Sequence, residues 1–196
     1  MALLSREQIV AMGFASVGDN VLISDKASFY GCSRIRIGNN VRIDDFVVLS
    51  AGEGGIELGN YIHIAIYSSL IGAGKISLAD YCNISSRVAI YSSSDDYSGK
   101  TMTNPMVPEQ YKAVQHAPVT LEKHVIVGCG TVILPGVTMY EGAAAGALTL
   151  INKDVAEFCI VAGIPYKVMK TRDRHLLQLE QEFQQQSQQV VRVAKT

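Results

Sequence analysis

Two interleaved six-residue rhythms constrain this chain more than any other feature in it. Val17, Ile37, Leu58 and Leu78 open the phrases "VGDN", "IGNN", "LGNY" and "LADY". Six residues after each stands Ile23, Ile43, Ile64 or Ile84, and six further on Phe29, Leu49, Leu70 or Ile90. Leu121, Val127, Ile133, Met139, Ala145 and Ile151 keep the same interval later without insertions. Four positions after these markers a second set recurs, small or β-branched. Its early members are Val21, Ala27, Ser33, Val41, Val47, Ile62, Ser68, Gly74, Cys82 and Val88. Its late members are Val125, Thr131, Val137, Ala143, Thr149 and Val155.

A bulky residue and a small one, locked in phase, suit short parallel strands joined by tight turns. Three such strands close one triangular coil, and stacked coils bury a continuous core while pairing each backbone group with the next coil. An antiparallel sandwich also has many short strands, but it predicts period-two alternation at variable spacing. The registers therefore specify an all-β chain, a parallel β-helix. Gly18, Gly38, Asn39, Gly59 and Asn60 follow the markers, where turns tolerate left-handed backbone.

The ends read differently. Ser5 and Gln8 have the spacing of a capping box, with Gly13 closing a short N-terminal helix. Beyond Pro165, Leu176, Leu179 and Phe183 recur at helical spacing beside a Gln/Glu-rich face. That pattern predicts an amphipathic C-terminal helix packed on the coils or on a neighbouring subunit, frayed from Gln184 onward. The chain divides into a helical cap over 1–16, a β-helix over 17–169 and a C-terminal helix and tail over 170–196.

The rhythm breaks once. After Ile90 comes "YSSSDDYSG", and the beat returns only at Leu121. Residues 91–118 thus form a loop that projects from the coils. Little else in the composition directs function. A formal net charge of -1 gives no reason to expect nucleic acid or a membrane surface as partner. No apolar run is long enough to span a bilayer, and "MALLSREQIV" lacks a signal-peptide pattern. Cys32, Cys82, Cys129 and Cys159 are scattered, which reads as reduced thiols in a cytoplasmic protein.

The stretch "VIVGCGTVILPGVTMYEGAAAGALTLINKDV" with "IVAGIPYKVMK" resembles the C-terminal signature of the hexapeptide-repeat acyltransferases. "NVRIDDFVVLSAG", "ISSRVAIYSSSDDYSG", "MTNPMVPEQYK" and "LEKHVIVG" narrow the resemblance. They are similar to the branch of dTDP-4-amino-4,6-dideoxyglucose N-acetyltransferases of O-antigen synthesis; galactoside-type O-acetyltransferases share much of the pattern. The resemblance implies a left-handed helix sense, a homotrimer with active sites between subunits, acetyl-CoA as cosubstrate and a nucleotide-linked amino sugar as acceptor. It implies neither membrane insertion nor a nucleic-acid partner. For the donor it points to Gly128, Cys129, Gly146, Ala147, Asn152, Lys153, Lys167 and Lys170. The small residues would admit the pantetheine arm to the backbone, and the lysines would meet phosphates. Each also has a plainer reading, as turn glycine or surface lysine.

Catalysis departs from part of the family. Many relatives carry a histidine in the projecting loop to deprotonate a sugar hydroxyl, which is a poor nucleophile without a base. Here the corresponding place reads "SSSDDYSG". An amine with a pKa near roughly 8 is already partly neutral and nucleophilic at pH 7. Asp95 or Asp96 would then orient it and take up its proton; both aspartates equally suit a turn cap. This favours N-acylation over O-acylation of a hydroxyl, for which His116 or His63 would be the base. His63 follows Ile62, so its side chain points outward. His116 sits where the loop rejoins the coils, and His124 at a turn facing solvent. Zinc needs three convergent ligands, and His63, His116 and His124 lack the family's spacing, so no metal is expected. Cys82 reads as packing; at Cys129 the backbone N–H, rather than the thiol, is the group suited to a thioester oxygen.

Overall fold

The computed structural model describes residues 2–193. Helix α1 (Arg6–Ala11) opens on Ser5, whose hydroxyl accepts from the Gln8 N–H while the Gln8 side chain accepts from the Ser5 N–H. Gly13 follows at φ 72°. From Ser16 the chain winds a left-handed parallel β-helix with three sheet faces. The first face begins at Ser16–Val17 and includes Ile56–Leu58, Ile76–Leu78 and Val119–Leu121. Ile62–Ile64, Asn83–Ile84 and Ile126–Val127 lie on the second; Ser69–Gly72, Ala89–Tyr91 and Val132–Ile133 lie on the third.

Both registers point inward. Ile23, Ile43, Ile64, Ile84, Leu49, Leu70 and Ile90 are fully buried, as are Val47, Val88, Val125 and Ala143 of the second set. Each large aliphatic side chain so placed contributes about 1.5–3 kcal/mol. The polar members of the small register are buried too, because each hydroxyl donates to a turn carbonyl. Ser68 reaches the Ser85 oxygen at 2.9 Å, and Thr149 the Gly146 oxygen at 2.7 Å. Burial pushes the Cys82 thiol up to about 12, so it is inert packing. Ser33 leaves the register: it is exposed in a 3-10 turn, Cys32–Arg34.

The corners correct the reading of the turns. Gly18, Gly38 and Gly59 are not the left-handed residues; Asn20, Asn40, Tyr61, Tyr81 and His124 are, at φ 52–65°. The glycines are needed instead for close stacking. A Cβ on Gly18 would stand 2.5 Å from Asn39 Oδ1, and one on Gly38 would strike the Gly59 carbonyl. Bulky side chains at positive φ are strained, and here they stack. Tyr61 lies 5.1 Å from Tyr81, and Tyr81 4.9 Å from His124, with the ring planes nearly parallel. Aromatic pairs add about 0.5–1.5 kcal/mol beyond area.

His124 therefore does not face solvent. It lies under helix α2 (His175–Val193), whose Glu180 meets His124 Nε2 at 2.7 Å and accepts from Lys123 Nζ at 3.0 Å. Partial burial raises the Glu180 carboxyl, but His124 and Lys123 outweigh it and hold the group below its ordinary range. Phe183 sets its ring edge-on to Tyr61. The helix is unbroken through Val193, beyond the fraying expected from Gln184; the end of the expected tail, 194–196, lies outside the described residues. A strand absent from the sequence reading, Lys167–Thr171, precedes it and crosses the division placed at 169/170. It runs antiparallel to Cys159–Ala162 and closes the second face. None of the helices among the described residues is long and apolar enough to cross a membrane.

Candidate active site

The coils ignore the break. Ile76 pairs with Val119, Asn83 with Ile126 and Ala89 with Val132, so the coil before the excursion stacks directly on the coil after it. The excursion starts as an antiparallel ribbon, Ser93–Ser94 against Gln115–His116. It carries a 3-10 turn at Glu109–Tyr111. Tyr97 and Met106 are its most exposed apolar side chains, at 93% and 90%.

Between the root of this loop and the outer side of the third face lies a cleft of about 400 Å³. Tyr91, Ser93, Ser94, Asp95 and Tyr97 form one wall; Val132, Leu134 and Pro135 form the other. Its size suits a small organic group. A second cleft of about 420 Å³ crosses the first face between Arg36, Glu57, Ser77 and Thr120. It holds surface ladder residues and none of the candidates, so the loop cleft is the better site.

The two adjacent aspartates have separate fates. Asp96 caps a turn: its carboxylate accepts from Ser98 N–H at 2.8 Å, Thr101 N–H at 3.2 Å and Thr101 Oγ1 at 2.9 Å. Those bonds, Ser98 foremost, hold its carboxyl down at about 2. Asp95 faces the cleft, and its carboxylate makes no hydrogen bond or ion pair among the described residues. Chain position alone does not separate the neighbours; the local turn does.

The histidines are not brought together. His116 is exposed at the loop root, its Nδ1 2.8 Å from Ser93 Oγ. His63 is on the second face, outward as expected, with Nε2 2.9 Å from Asp44 Oδ2. Arg42 holds the other carboxylate oxygen at 2.7 Å. Burial raises Asp44, but His63 and Arg42 outweigh it and keep it below its usual range. No group of three metal-ligating side chains occurs among the described residues.

The donor candidates gather at one end of the helix, around two corners. Gly128–Cys129 and Gly146–Ala147 form successive turns between the second and third faces, linked by Leu148 N–H donating to the Cys129 oxygen at 2.8 Å. Gly128 has a packing reason of its own, since a Cβ there would stand 2.6 Å from Ala147 N. Cys129 is exposed, and its N–H finds no partner among the described residues. Asn152 and Lys153 sit at the exposed corner after Leu150–Ile151, with Lys153 Nζ 5.2 Å from the Tyr166 ring. Lys167 and Lys170 are exposed on the closing strand.

A left-handed β-helix of hexapeptide repeats, with a looped-out cleft beside small-residue turns, defines an acyl-CoA-dependent acyltransferase. No protein-family model matches the sequence. The chain is 57% identical over 183 residues to the dTDP-4-amino-4,6-dideoxy-D-glucose acyltransferase of Escherichia coli, covering 93% of this chain and 95% of that one. It is also similar to AntD, an N-acyltransferase from Bacillus cereus. The complex of AntD with dTDP and 3-hydroxybutyryl-CoA superposes with a TM-score of 0.91 at 43% identity, over 95% of this chain and 98% of that one. A variant bound to dTDP-4-amino-4,6-dideoxyglucose and coenzyme A gives 0.90 at 43% identity, over 94% and 97%. The chain belongs to the dTDP-4-amino-4,6-dideoxyglucose acyltransferase family.

Solved AntD variants replace a serine or an aspartate ten positions after it. Two serine–aspartate pairs here share that spacing, Ser85 with Asp95 and Ser86 with Asp96. Neither serine stood out in the sequence; each sits at a corner where a hydroxyl reads as turn chemistry.

Proposed function

We propose that this protein transfers the acetyl group of acetyl-CoA to the 4-amino group of a dTDP-linked 4-amino-4,6-dideoxy sugar, a precursor of surface polysaccharide. The observation that carries the reading is Asp95, an unpartnered carboxylate in the loop cleft. The free amine attacks the thioester carbon, the C–N bond forms and the C–S bond breaks. Nitrogen gives up one proton, and the departing sulfur ends as the coenzyme A thiol. Asp95 orients the amine and carries that proton, with Ser85 as its companion at the matching spacing; Asp96 keeps the loop turned.

The donor lies along the turns of Gly128, Cys129, Gly146 and Ala147, with Asn152, Lys153, Lys167 and Lys170 toward its polar end. The unpartnered Cys129 N–H holds the thioester oxygen as charge develops on it. Cys129→Ala keeps that N–H and is expected to retain acetyl transfer within about threefold; a hundredfold loss of kcat would assign the work to the thiol instead.

The outer side of the third face supports assembly as a homotrimer with cleft and donor groove completed between subunits. Val48, Ala89, Val132 and Leu150, in one ladder with Ser69, project there beside Ile71, none of them fully exposed. The first face is polar in the same positions, with Arg36, Glu57, Ser77 and Thr120. Acetyl-CoA and a nucleotide sugar as substrates support a cytoplasmic location.

The test is release of free thiol from acetyl-CoA and from 3-hydroxybutyryl-CoA, with dTDP-4-amino-4,6-dideoxyglucose or the corresponding 4-hydroxy sugar as acceptor. Release that requires the amine, faster with acetyl-CoA, is the expected result. Turnover with the hydroxy sugar alone would replace N-acylation by O-acylation.

A further inference from the structure

The three serines of "YSSSDD" take no part in the reaction as described, yet two of them fasten the loop to the coils. Ser92 is buried and donates to the Gly74 oxygen at 2.7 Å. Its own carbonyl accepts from Ala117 N–H at 3.1 Å, joining the outgoing and returning strands. Ser93 Oγ accepts from Ala73 N–H at 2.7 Å and stands 2.8 Å from His116 Nδ1. One hydroxyl thus ties together the coil beneath, the strand that leaves and the strand that returns. The coil beneath is shaped for this fastening. Gly72, at φ 145°, would clash with the Ser92 hydroxyl if it carried a Cβ, and a Cβ on Gly74 would stand 2.6 Å from the Ala117 oxygen.

Asp95 lies two residues beyond Ser93, and no side chain among the described residues holds its carboxylate. Its place in the cleft is therefore set by the backbone, and Ser93 is the side chain closest to it in sequence that ties that backbone to the coils, since Ser94 and Asp96 bond only within the loop. We propose that Ser93 is a positioning residue. Its hydroxyl, gripped by Ala73 and His116, fixes where the chain leaves the coils and so aims Asp95 at the acceptor amine. His116 serves this grip through Nδ1, which accepts the Ser93 O–H or donates N–H to Ser93 Oγ according to its tautomer; either form keeps the bond. The inference rests on the role given to Asp95 above. A displacement of about 1 Å at a reacting group is enough to cost up to about a hundredfold in rate.

The experiment compares Ser93→Ala and Ser93→Thr, in the parent and in an Asp95→Asn background, by kcat and by KM for each substrate. Ser93→Ala is expected to lower kcat with the amino sugar about tenfold or more. The KM for acetyl-CoA should not change, and Ser93→Thr, which keeps the hydroxyl, should recover most of the rate. With Asp95→Asn already present, Ser93→Ala should cost nothing further, since residues acting through one group are not additive. An undiminished kcat in Ser93→Ala overturns the inference, as does an equal loss in both backgrounds. A parent protein that releases no thiol with the amino sugar counts against the acetyl-transfer reading alone. Calorimetric titration with that sugar then decides on Ser93, by whether Ser93→Ala weakens binding in the parent but not in Asp95→Asn.

Discussion

Asp95→Asn is expected to lower kcat for the amino sugar by about a hundredfold, the low end of what a positioned general base contributes, and Asp96→Asn to cost about threefold or less by comparison. The difference follows from what each carboxylate touches. Asn at 95 keeps the shape of the side chain but cannot accept the proton shed by the attacking nitrogen. Asn at 96 keeps one oxygen for the Ser98 N–H and gives up only the one that accepts from Thr101, and position 96 does not line the cleft. Single-turnover thiol release at saturating acetyl-CoA separates the two variants from any effect on donor binding. Equal losses in both would show that the pair acts through loop shape alone. Full activity in Asp95→Asn would remove the carboxylate from the chemistry.

The second large effect concerns stability. Ile64→Ala is expected to cost about 2–5 kcal/mol. Ile64 is fully buried in a middle coil and pairs with Ile43 on one side and Ile84 on the other. In a stack where each coil leans only on its neighbours, a cavity there weakens two interfaces at once. Leu22→Ala, on the outer side of the second face, should stay within about 0.5 kcal/mol; Leu22 is 39% exposed. Urea midpoints measure both. Equal midpoints would contradict an inward role for the aliphatic column.

The core was legible because a six-residue period leaves one arrangement in which every marker points inward, as the burial of Ile43, Ile64 and Ile84 shows. The corners were less so, because periodicity speaks only of inward positions. Gly18 and Gly59 suggested left-handed turns by type, whereas Tyr61 and Tyr81 adopt them and recover the strain by stacking. The closing strand Lys167–Thr171 was missed for a related reason. Val168 and Met169 are both exposed and show no alternation, and a bulge between Ile160 and Val161 disrupts the period. Helix α2 runs on past Gln184 because glutamine is a good helix former, so the polar run that suggested fraying carries its own propensity. At the site, the loop and the pair "DD" were visible. That one aspartate caps Ser98 and Thr101 while the other faces the cleft depends on a turn a few residues long, for which adjacent identical residues give no signal.

The pairing of Ala89 directly with Val132 has an evolutionary consequence. The projecting loop between them can lengthen, shorten or change sequence while the two coils still find one another, provided its root stays fastened. Descendants of such a chain are free to try new acceptors without re-solving the folding problem each time. A repeat that tolerates one interruption in this way behaves as a socket, and the interruption as an exchangeable fitting.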